Sequence, residues 1–205
     1  DAINLGTHRG VININVTGNT TETATASLNA SGVGSCSYTR IAIQPSGGGA
    51  RTISGSLTTS LVQFTGASNV SINGLNTGGN SLTFENTNTG INSSAFIFIN
   101  DASTDSIQNT ILKASCTGTA VGIVLFSTTT GTTGNDNNVI TGCTFKPSGV
   151  NYPVWHIYAL GTALKENSGI VINNNNFEDF YGNSANSGGI WIGLNTNNLT
   201  ISNNH

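Results

Sequence analysis

The stretch that decides the fold is Ile107-Gln108-Asn109-Thr110-Ile111-Leu112, because its pattern returns about every thirty residues. It returns as Ile140-Thr141-Gly142-Cys143-Thr144-Phe145 and as Ile172-Asn173-Asn174-Asn175-Asn176-Phe177. With the weaker copies included, the pattern starts at seven isoleucines: Ile14, Ile43, Ile72, Ile107, Ile140, Ile172 and Ile201. Repeats of this length are typical of solenoids, propellers and arrays.

The composition is polar but almost uncharged. Charged residues make up 7% of the 205 positions and the net charge is −3, whereas Asn, Thr, Ser and Gly together supply 107 positions. Intracellular proteins usually carry about 25% charged residues. The six Lys and Arg provide no basic patch for nucleic acid, and no apolar run reaches the roughly eighteen residues of a membrane span. We therefore expect an extracellular or cell-surface protein with no nucleic-acid partner and no membrane insertion.

Short apolar segments between the isoleucines have the features of β-strands. Residues 96–99, 121–126 and 189–192 are β-branched or aromatic and are bounded by Gly, Asn, Ser or Thr. No stretch of twelve residues has a helical period with a cap. About three strands per repeat predict an all-β parallel β-helix of about six to seven coils, in which equivalent strands lie about 4.8 Å apart. A propeller blade would need about forty residues or more, and a sandwich would show hairpin turns.

In such a solenoid, equivalent residues of successive coils form columns. The residues five positions after the isoleucines are predicted to stack in the core: Leu112, Phe145 and Phe177. The residues six positions after them are predicted to share one corner: Lys113, Lys146 and Glu178. An exposed Lys146–Glu178 ion pair would contribute at most about 1 kcal/mol. Gly or Asn two positions after the isoleucines predicts bends, and stacked Asn side chains would bond to one another.

Neither the cysteines nor the ends of the chain indicate a second domain. Cys36, Cys116 and Cys143 fall at different places in the repeat without CxxC spacing, so we expect buried fillers rather than a disulfide framework or a zinc site. One domain is predicted over residues 1–205, with 1–35 as a cap or an irregular first coil. Because the pattern begins again at Ile201 and then stops, we expect a longer parent chain or an end covered by another subunit.

Four segments carry a resemblance to a known family: NVSINGL, NNVITGCTF, IVINNNNF and NLTISNN. They resemble the right-handed parallel β-helix repeats of the pectin-lyase-like superfamily. This resemblance implies a right-handed solenoid but no single activity, because the superfamily includes lyases, hydrolases, tailspikes and adhesins. The amino-terminal segments DAINLG and YTRIAIQPSGGGARTISG resemble large secreted surface proteins of Bacteroidota that are clients of type IX secretion. The second resemblance implies a cell-surface or extracellular setting.

The acidic residues give one candidate metal site. The hydrolase motifs that the resemblance implies, namely NTD, DD, GHG and RIK, do not occur. Asp101, Asp136 and Glu166 precede their isoleucines by six, four and six residues, so they are predicted to gather on one edge across three coils. Carboxylates there would suit a calcium ion or an acid/base pair. A structural or solvated role is the alternative.

Aromatic residues of the carboxy-terminal half are candidates for an exposed sugar-binding platform, and core packing is the alternative. They are Trp155, Tyr158, Tyr181 and Trp191. His156 lies between Trp155 and Ile157, so strand alternation predicts that its side chain points away from theirs, as a satisfied or surface histidine. Asp105-Ser106-Ile107 resembles a short O-glycosylation motif reported for Bacteroidota, which makes Ser106 a candidate for glycosylation.

The sequence favours a non-catalytic structural or adhesive module of a bacterial cell-surface or filament protein, with no cofactor required. Its partners would be other copies or continuing segments of the same protein. The alternative is a carbohydrate-active or carbohydrate-binding β-helix of the lyase or hydrolase type. That alternative has polysaccharide as its partner and calcium as its candidate ion.

Overall fold

The computed structural model describes residues 1–180 and 186–205, and every regular element in that part of the chain is a β-strand. The first two coils contain β1 (Gly10–Val16), β2 (Thr20–Glu22), β3 (Ala26–Asn29), β4 (Tyr38–Pro45), β5 (Ala50–Gly55) and β6 (Val62–Thr65). The next two contain β7 (Val70–Asn73), β8 (Ser81–Asn86), β9 (Phe96–Ile99), β10 (Ser106–Gln108), β11 (Ile111–Ala114) and β12 (Val124–Phe126). The remainder contains β13 (Val139–Thr141), β14 (Thr144–Lys146), β15 (Trp155–Ala159), β16 (Asn167–Ser168), β17 (Val171–Asn173), β18 (Asn176–Phe177), β19 (Gly188–Ile192), β20 (Thr196–Asn197) and β21 (Thr200–Ser202).

Equivalent strands of successive coils pair in parallel and form three long sheets. Sheet A has the order β1-β4-β7-β10-β13-β17-β21, sheet B the order β2-β5-β8-β11-β14-β18, and sheet C the order β3-β6-β9-β12-β15-β19. Strands β16 and β20 form a short fourth sheet. The chain is therefore a parallel β-solenoid of about six turns, which confirms the predicted fold class.

The repeated isoleucines form one continuous column in sheet A. Each predicted isoleucine pairs with the next, from Ile14 with Ile43 to Ile172 with Ile201. The four central members have an exposed fraction of 0%: Ile72, Ile107, Ile140 and Ile172. Sheet B adds a second column, which includes the predicted stack: Ile53, Phe84, Leu112, Phe145 and Phe177. Burial of apolar area in such columns is the dominant favourable contribution to folding.

The bends that follow the isoleucines have the predicted backbone conformation in four coils. The φ angles are 50° at Asn109, 64° at Gly142, 53° at Asn174 and 52° at Asn203, a region that Gly and Asn tolerate best. Gly74 is needed for a different reason. A Cβ atom there would lie 2.1 Å from the carbonyl oxygen of Asn109 in the next coil.

Buried asparagines connect neighbouring coils. The backbone N–H of Asn135 and its Nδ2 both donate to Asn167 Oδ1, at 3.0 and 2.9 Å. The backbone N–H of Asn175 and its Nδ2 likewise donate to Asn204 Oδ1, both at 3.0 Å. Each ladder satisfies a backbone donor that would otherwise be buried without a partner. Stacked asparagines therefore do bond to one another, but in columns next to the bends rather than at the bend position itself.

The charged corner column is also confirmed. Lys146 Nζ lies 2.9 Å from Glu178 Oε2, as predicted. Lys113 Nζ lies 2.7 Å from Glu85 Oε1, and Glu85 is the residue paired with Lys113 in the preceding coil. The column therefore begins one coil earlier than the sequence indicates. It consists of Glu85, Lys113, Lys146 and Glu178.

The buried cysteines agree with the prediction from sequence, whereas the buried histidine does not. The three cysteines are free and buried, as expected. Burial raises the pKa of Cys116 and Cys143 to about 12, so neither is a thiolate at neutral pH. The prediction for His156 is wrong: its ring lies in the core, 5.8 Å from the ring of Phe145, and Ile157 is buried there too. Strict alternation fails because both residues point inward where the chain enters sheet C.

Candidate functional site

A mostly apolar column runs along the outer face of sheet C. The rings of Phe64 and Phe96 contact each other inside the solenoid, so the alternate positions of these strands face outward. The outward column consists of Gln63, Ile97, Leu125, Tyr158 and Trp191. Its carboxy-terminal end is aromatic.

Three of the predicted aromatic residues meet at that end. The rings of Tyr158 and Trp191 stack with centroids 4.3 Å apart and an interplanar angle of 8°. The ring of Trp155 lies 6.3 Å from that of Trp191, and its Nε1 donates to the carbonyl oxygen of Thr119 at 3.0 Å. The solenoid register therefore brings together residues that are separated by up to 36 positions in the sequence.

The three rings offer different amounts of surface. Tyr158 is only 6% exposed, and burial raises the pKa of its hydroxyl, so it supports Trp191 rather than presenting its own face. Trp155 and Trp191 are half-buried. A Cβ atom at Gly188 would lie 3.2 Å from the Trp155 ring, and one at Gly193 would lie 2.2 Å from the Trp191 ring. Larger residues at these glycines would therefore displace the indoles.

Such a cluster is suited to stacking on an apolar or sugar face, since tryptophan combines a large apolar ring with a polar N–H group. Carbohydrate binding by Trp155, Tyr158 and Trp191 stays a prediction. Tyr181, the fourth member of the predicted platform, lies outside the described residues.

Among the three predicted acidic residues, Asp136 interacts electrostatically with the other two. Burial raises the pKa of Asp136, and the negative charges of Asp101 and Glu166 raise it further. The backbone N–H of Ser168, which donates to Asp136 Oδ1 at 2.8 Å, acts in the opposite direction. Asp136 is therefore close enough to Asp101 and to Glu166 to interact with each of them.

Both carboxylate oxygens of Asp101 already accept hydrogen bonds from other residues of the chain. Its Oδ1 accepts hydrogen bonds from Thr129 Oγ1 at 2.6 Å and from the Gly134 N–H at 3.1 Å, and its Oδ2 accepts from the Thr132 N–H at 2.5 Å. Burial by itself raises the pKa of Asp101, but these hydrogen bonds together outweigh it and hold the pKa below its ordinary value. The carboxylate thereby organises the loop between β12 and β13.

Within residues 1–180 and 186–205, no group of three or more His, Cys, Asp or Glu side chains is arranged to hold a metal ion. Calcium at Asp101, Asp136 and Glu166 stays a prediction. An ion bound there would have to compete with the hydrogen bonds of the Asp101 loop.

Ser106, the candidate glycosylation residue, is half-buried on β10, and its hydroxyl donates to Ser71 Oγ at 3.2 Å. Its motif partner Asp105 is 1% exposed. A glycosylating enzyme that recognises both Asp105 and Ser106 would therefore have to act on the unfolded chain. Glycosylation of Ser106 stays a prediction.

The sequence did not indicate that Ile97 and Leu125 extend the aromatic cluster. It also did not indicate the role of Asn100, whose Oδ1 accepts from the N–H of Thr130 at 3.1 Å and so anchors the threonine-rich loop beside Asp101. The outward column was detectable in principle, because Ile97, Leu125, Tyr158 and Trp191 occupy the same position of successive strands. The loop contacts leave no periodic signal.

No protein-family model matches this chain, and neither a curated protein nor a solved structure is significantly similar to it. Among the described residues, no helix is long and apolar enough to cross a membrane. The site is therefore interpreted from its own chemistry.

Proposed function

We propose that this chain is a non-catalytic structural or adhesive module of an extracellular bacterial surface or filament protein. We further propose that it is a right-handed solenoid related to the pectin-lyase-like superfamily and comes from a secreted surface protein of Bacteroidota. The observation that carries the proposal is the register of sheet A, in which all seven repeated isoleucines lie in one column.

A rod-like role is supported by the polar side chains that connect neighbouring coils. The buried asparagines link coil to coil, and four of the 15 charged residues form ion pairs along one corner. These contacts fix one coil on the next and leave a surface that is rich in neutral Asn, Thr and Ser. A surface of this kind suits a spacer that must stay folded outside the cell.

Localisation and adhesion on whole cells test this proposal. Antibodies raised against the folded chain are expected to label intact cells of the source bacterium, and deletion of the coding segment is expected to reduce attachment or disrupt a filament. Labelling that requires lysis of the cells would contradict the extracellular assignment. Unchanged attachment and filaments after deletion would contradict the structural or adhesive role.

A second candidate function is carbohydrate binding, and the observation that favours it is the outward cluster of Trp155, Tyr158 and Trp191. Binding and turnover are tested on a panel of neutral and acidic polysaccharides, with and without calcium. Trp155→Ala and Trp191→Ala are expected to reduce affinity about tenfold or more, because an aromatic contact contributes roughly 1 to 3 kcal/mol. Tyr152→Ala, which changes an exposed aromatic residue outside the cluster, is the control.

Product formation in the same assay would instead indicate a lyase or hydrolase. The Asp101→Asn variant then tests the acidic edge, because an amide keeps one acceptor oxygen but loses the charge that a calcium ion needs. Calcium-dependent binding that is unchanged in this variant would exclude Asp101 as a ligand.

A further inference from the structure

The amino-terminal end of the solenoid contains an apolar cavity of about 610 Å³. Its walls are inward side chains of the first two coils, and its floor is formed by Ile72 and Phe84 of the third coil. Two coil spacings make it about 10 Å deep. The apolar walls include Ile12, Ile14, Ile43 and Phe64. This volume lies within the range of about 300 to 1,000 Å³ that is typical of small-molecule sites.

The residues before β1 form a partial lid over this cavity. Asn4 Nδ2 donates to the carbonyl oxygen of Ser27 at 2.8 Å, and the N–H of Asn29 donates to Asn4 Oδ1 at 3.0 Å. Ile3 packs against the core. The lid therefore occupies the edge of β3, so a second copy of the chain cannot add a strand there without displacing it. Ile3 and His8 line the cavity from the lid side.

One wall residue gives the cavity a chemical preference. Glu22 lies in register with Gly55 of the second coil and Asn86 of the third, and the side chain of Asn86 is fully buried. Its half-buried side chain lines the cavity. The rest of the lining is mostly aliphatic or aromatic, and its polar residues, which include Asn4, Asn13 and His8, lie towards the mouth or the lid. An occupant therefore needs an alkyl body and a cationic head that can face a carboxylate.

We propose that this cavity is a binding site for a small aliphatic amine, with the alkyl chain between the sheets and the ammonium group at Glu22. An apolar cavity of this kind contains few partners for water, which favours an apolar occupant. A fatty acid would place its carboxylate beside Glu22, so acids of the same length bind more weakly. The site lies at the opposite end of the solenoid from the aromatic cluster and does not depend on the function proposed above.

Calorimetric titration of the full chain with octylamine tests the proposal. Hexylamine and decylamine vary the length, while octan-1-ol and octanoate vary the head group. Affinity is expected to rise roughly fourfold for each methylene until the cavity is full. Octylamine is expected to bind about two to five times more tightly than octan-1-ol, and octanoate most weakly. Glu22→Gln is expected to remove the preference for the amine, whereas Asp179→Asn, at an exposed acidic residue outside the cavity, is not.

A matched pair of variants locates the ligand. Ile14→Trp fills the mouth and is expected to abolish binding. Ile201→Trp makes the same change in the same column at the other end of the solenoid and is expected to leave binding unchanged. Thermal unfolding checks that both variants fold. Nuclear Overhauser contacts between the octyl chain and the methyl groups of Ile72 in the unmodified chain provide a readout that needs no variant.

Three results would overturn the proposal. They are no binding of octylamine at millimolar concentration, binding that survives Ile14→Trp, and octanoate binding as tightly as octylamine. The first two would show that the cavity does not hold an amine. The third would show that Glu22 does not select the head group.

Discussion

At the scale of single residues, Asp105 and His156 are ionisable side chains buried in the core. Asp105 Oδ1 accepts a hydrogen bond from the Val70 N–H at 2.8 Å, but Oδ2 has no partner among the described residues. Burial raises the pKa of Asp105 to about 8. Neither ring nitrogen of His156 has a well-formed hydrogen bond to a described residue. Burial lowers the pKa of His156 to about 4, against a smaller opposing effect of the Glu178 backbone.

The Asp105→Asn variant is expected to be more stable than the parent chain at neutral and alkaline pH. In the unfolded chain Asp105 loses its proton near 3.8, whereas the folded state holds it to about 8. The folded state therefore binds more protons in this window, and the free energy of unfolding falls as pH rises through it. The variant removes that loss, by roughly 1 to 3 kcal/mol at pH 8. Chemical denaturation at pH 5 and pH 8 measures it.

The next coil explains why an amide fits at position 105. Asn138 occupies the same column, and its Nδ2 donates to the carbonyl oxygen of Ala102 at 2.9 Å. An asparagine at 105 would find the equivalent carbonyl at Ala67. Ala67 directly precedes Ser68, which forms a parallel bridge with Ser103, just as Ala102 directly precedes Ser103. The converse change, Asn138→Asp, is the control and is expected to destabilise the chain more at pH 8 than at pH 5. Equal stability of Asp105→Asn and the parent chain at pH 8 would contradict this account.

The His156→Phe variant is expected to resist acid. Free histidine titrates near 6.5 but folded His156 only near 4, so the unfolded state binds more protons between these values. Stability is therefore lost as pH falls from about 6.5 to about 4. Phenylalanine keeps the ring packing with Phe145 and Phe177 and removes this loss, by roughly 2 to 3 kcal/mol at pH 4. Thermal unfolding between pH 4 and 7 checks it, with the exposed His8→Phe as control.

The two residues also show what sequence can predict at this scale. The glycosylation motif at Asp105 and the strand alternation at His156 are predictions that use only near neighbours in the chain. The environments of these residues depend on more distant ones, Asn138 for Asp105 and Phe177 for His156. The register of the coils, rather than local sequence, determines that these groups are buried.

At the scale of elements, the charged corner was predictable wherever the coils have equal spacing. Lys113, Lys146 and Glu178 each follow an isoleucine by six residues, but Glu85 follows Ile72 by thirteen. The longer segment between β7 and β8 changes the spacing of Glu85 from its isoleucine, so Glu85 does not fit the sequence pattern. In sheet B, however, Glu85 pairs with Lys113 and belongs to the same column. An insertion in a loop thus hides a contact from sequence without disturbing the sheets.

Exchange of the charges at positions 146 and 178 is expected to preserve or raise stability. In the parent chain Lys113 and Lys146 are neighbours in the register, and adjacent like charges are unfavourable. The double variant Lys146→Glu/Glu178→Lys alternates the signs along the whole column. It should be more stable by up to about 0.5 kcal/mol in low salt, with the difference reduced in high salt.

The single Lys146→Ala variant is the reference for this comparison and should cost at most about 1 kcal/mol, because the pair is partly exposed. Denaturant unfolding at two salt concentrations measures all three proteins. A double variant that is less stable than Lys146→Ala would show that geometry, rather than charge order, governs this corner.

Replacement of Asn167 is expected to destabilise far more than replacement of a surface asparagine. Asn167 Oδ1 accepts two hydrogen bonds from Asn135, and both residues are fully buried. Asn167→Ala leaves these donors unpaired, which costs about 1 to 3 kcal/mol for each such group. Asn151→Ala, at an exposed position, is the control and should change the free energy of unfolding by less than about 0.5 kcal/mol. A cost within that range for Asn167→Ala would argue against the ladder.

At the scale of the whole molecule, the number of coils and their core columns follow from the isoleucine spacing, but the ends do not. Ile107 and Ile140 are fully buried, Ile14 is half-buried, and Ile201 is 46% exposed although it occupies the same column. Periodicity identifies a column without showing what covers its ends. The lid formed by Asn4 and the cavity beneath it have no counterpart in the repeat, so the repeat pattern cannot predict them.

Hydrogen exchange is expected to reveal this difference between centre and ends. The amides of Ile107 and Ile140 should exchange slowest, because they open only when the sheets separate, and those of Thr200 and Ile201 fastest. Mass spectrometry of peptic fragments measures the gradient. Uniform protection along the column would indicate that the chain associates through its ends in solution.

The asparagine ladders have a direction, and this has a consequence for synthesis. The N–H of Cys143 donates to Asn175 Oδ1, and the N–H of Asn175 donates to Asn204 Oδ1, so in this ladder each acceptor lies in the following coil. A nascent coil leaving the ribosome therefore lacks its last partners until about thirty more residues have emerged. The solenoid is completed from its first coil towards its last, and a pause in translation would leave one unfinished coil at the growing end.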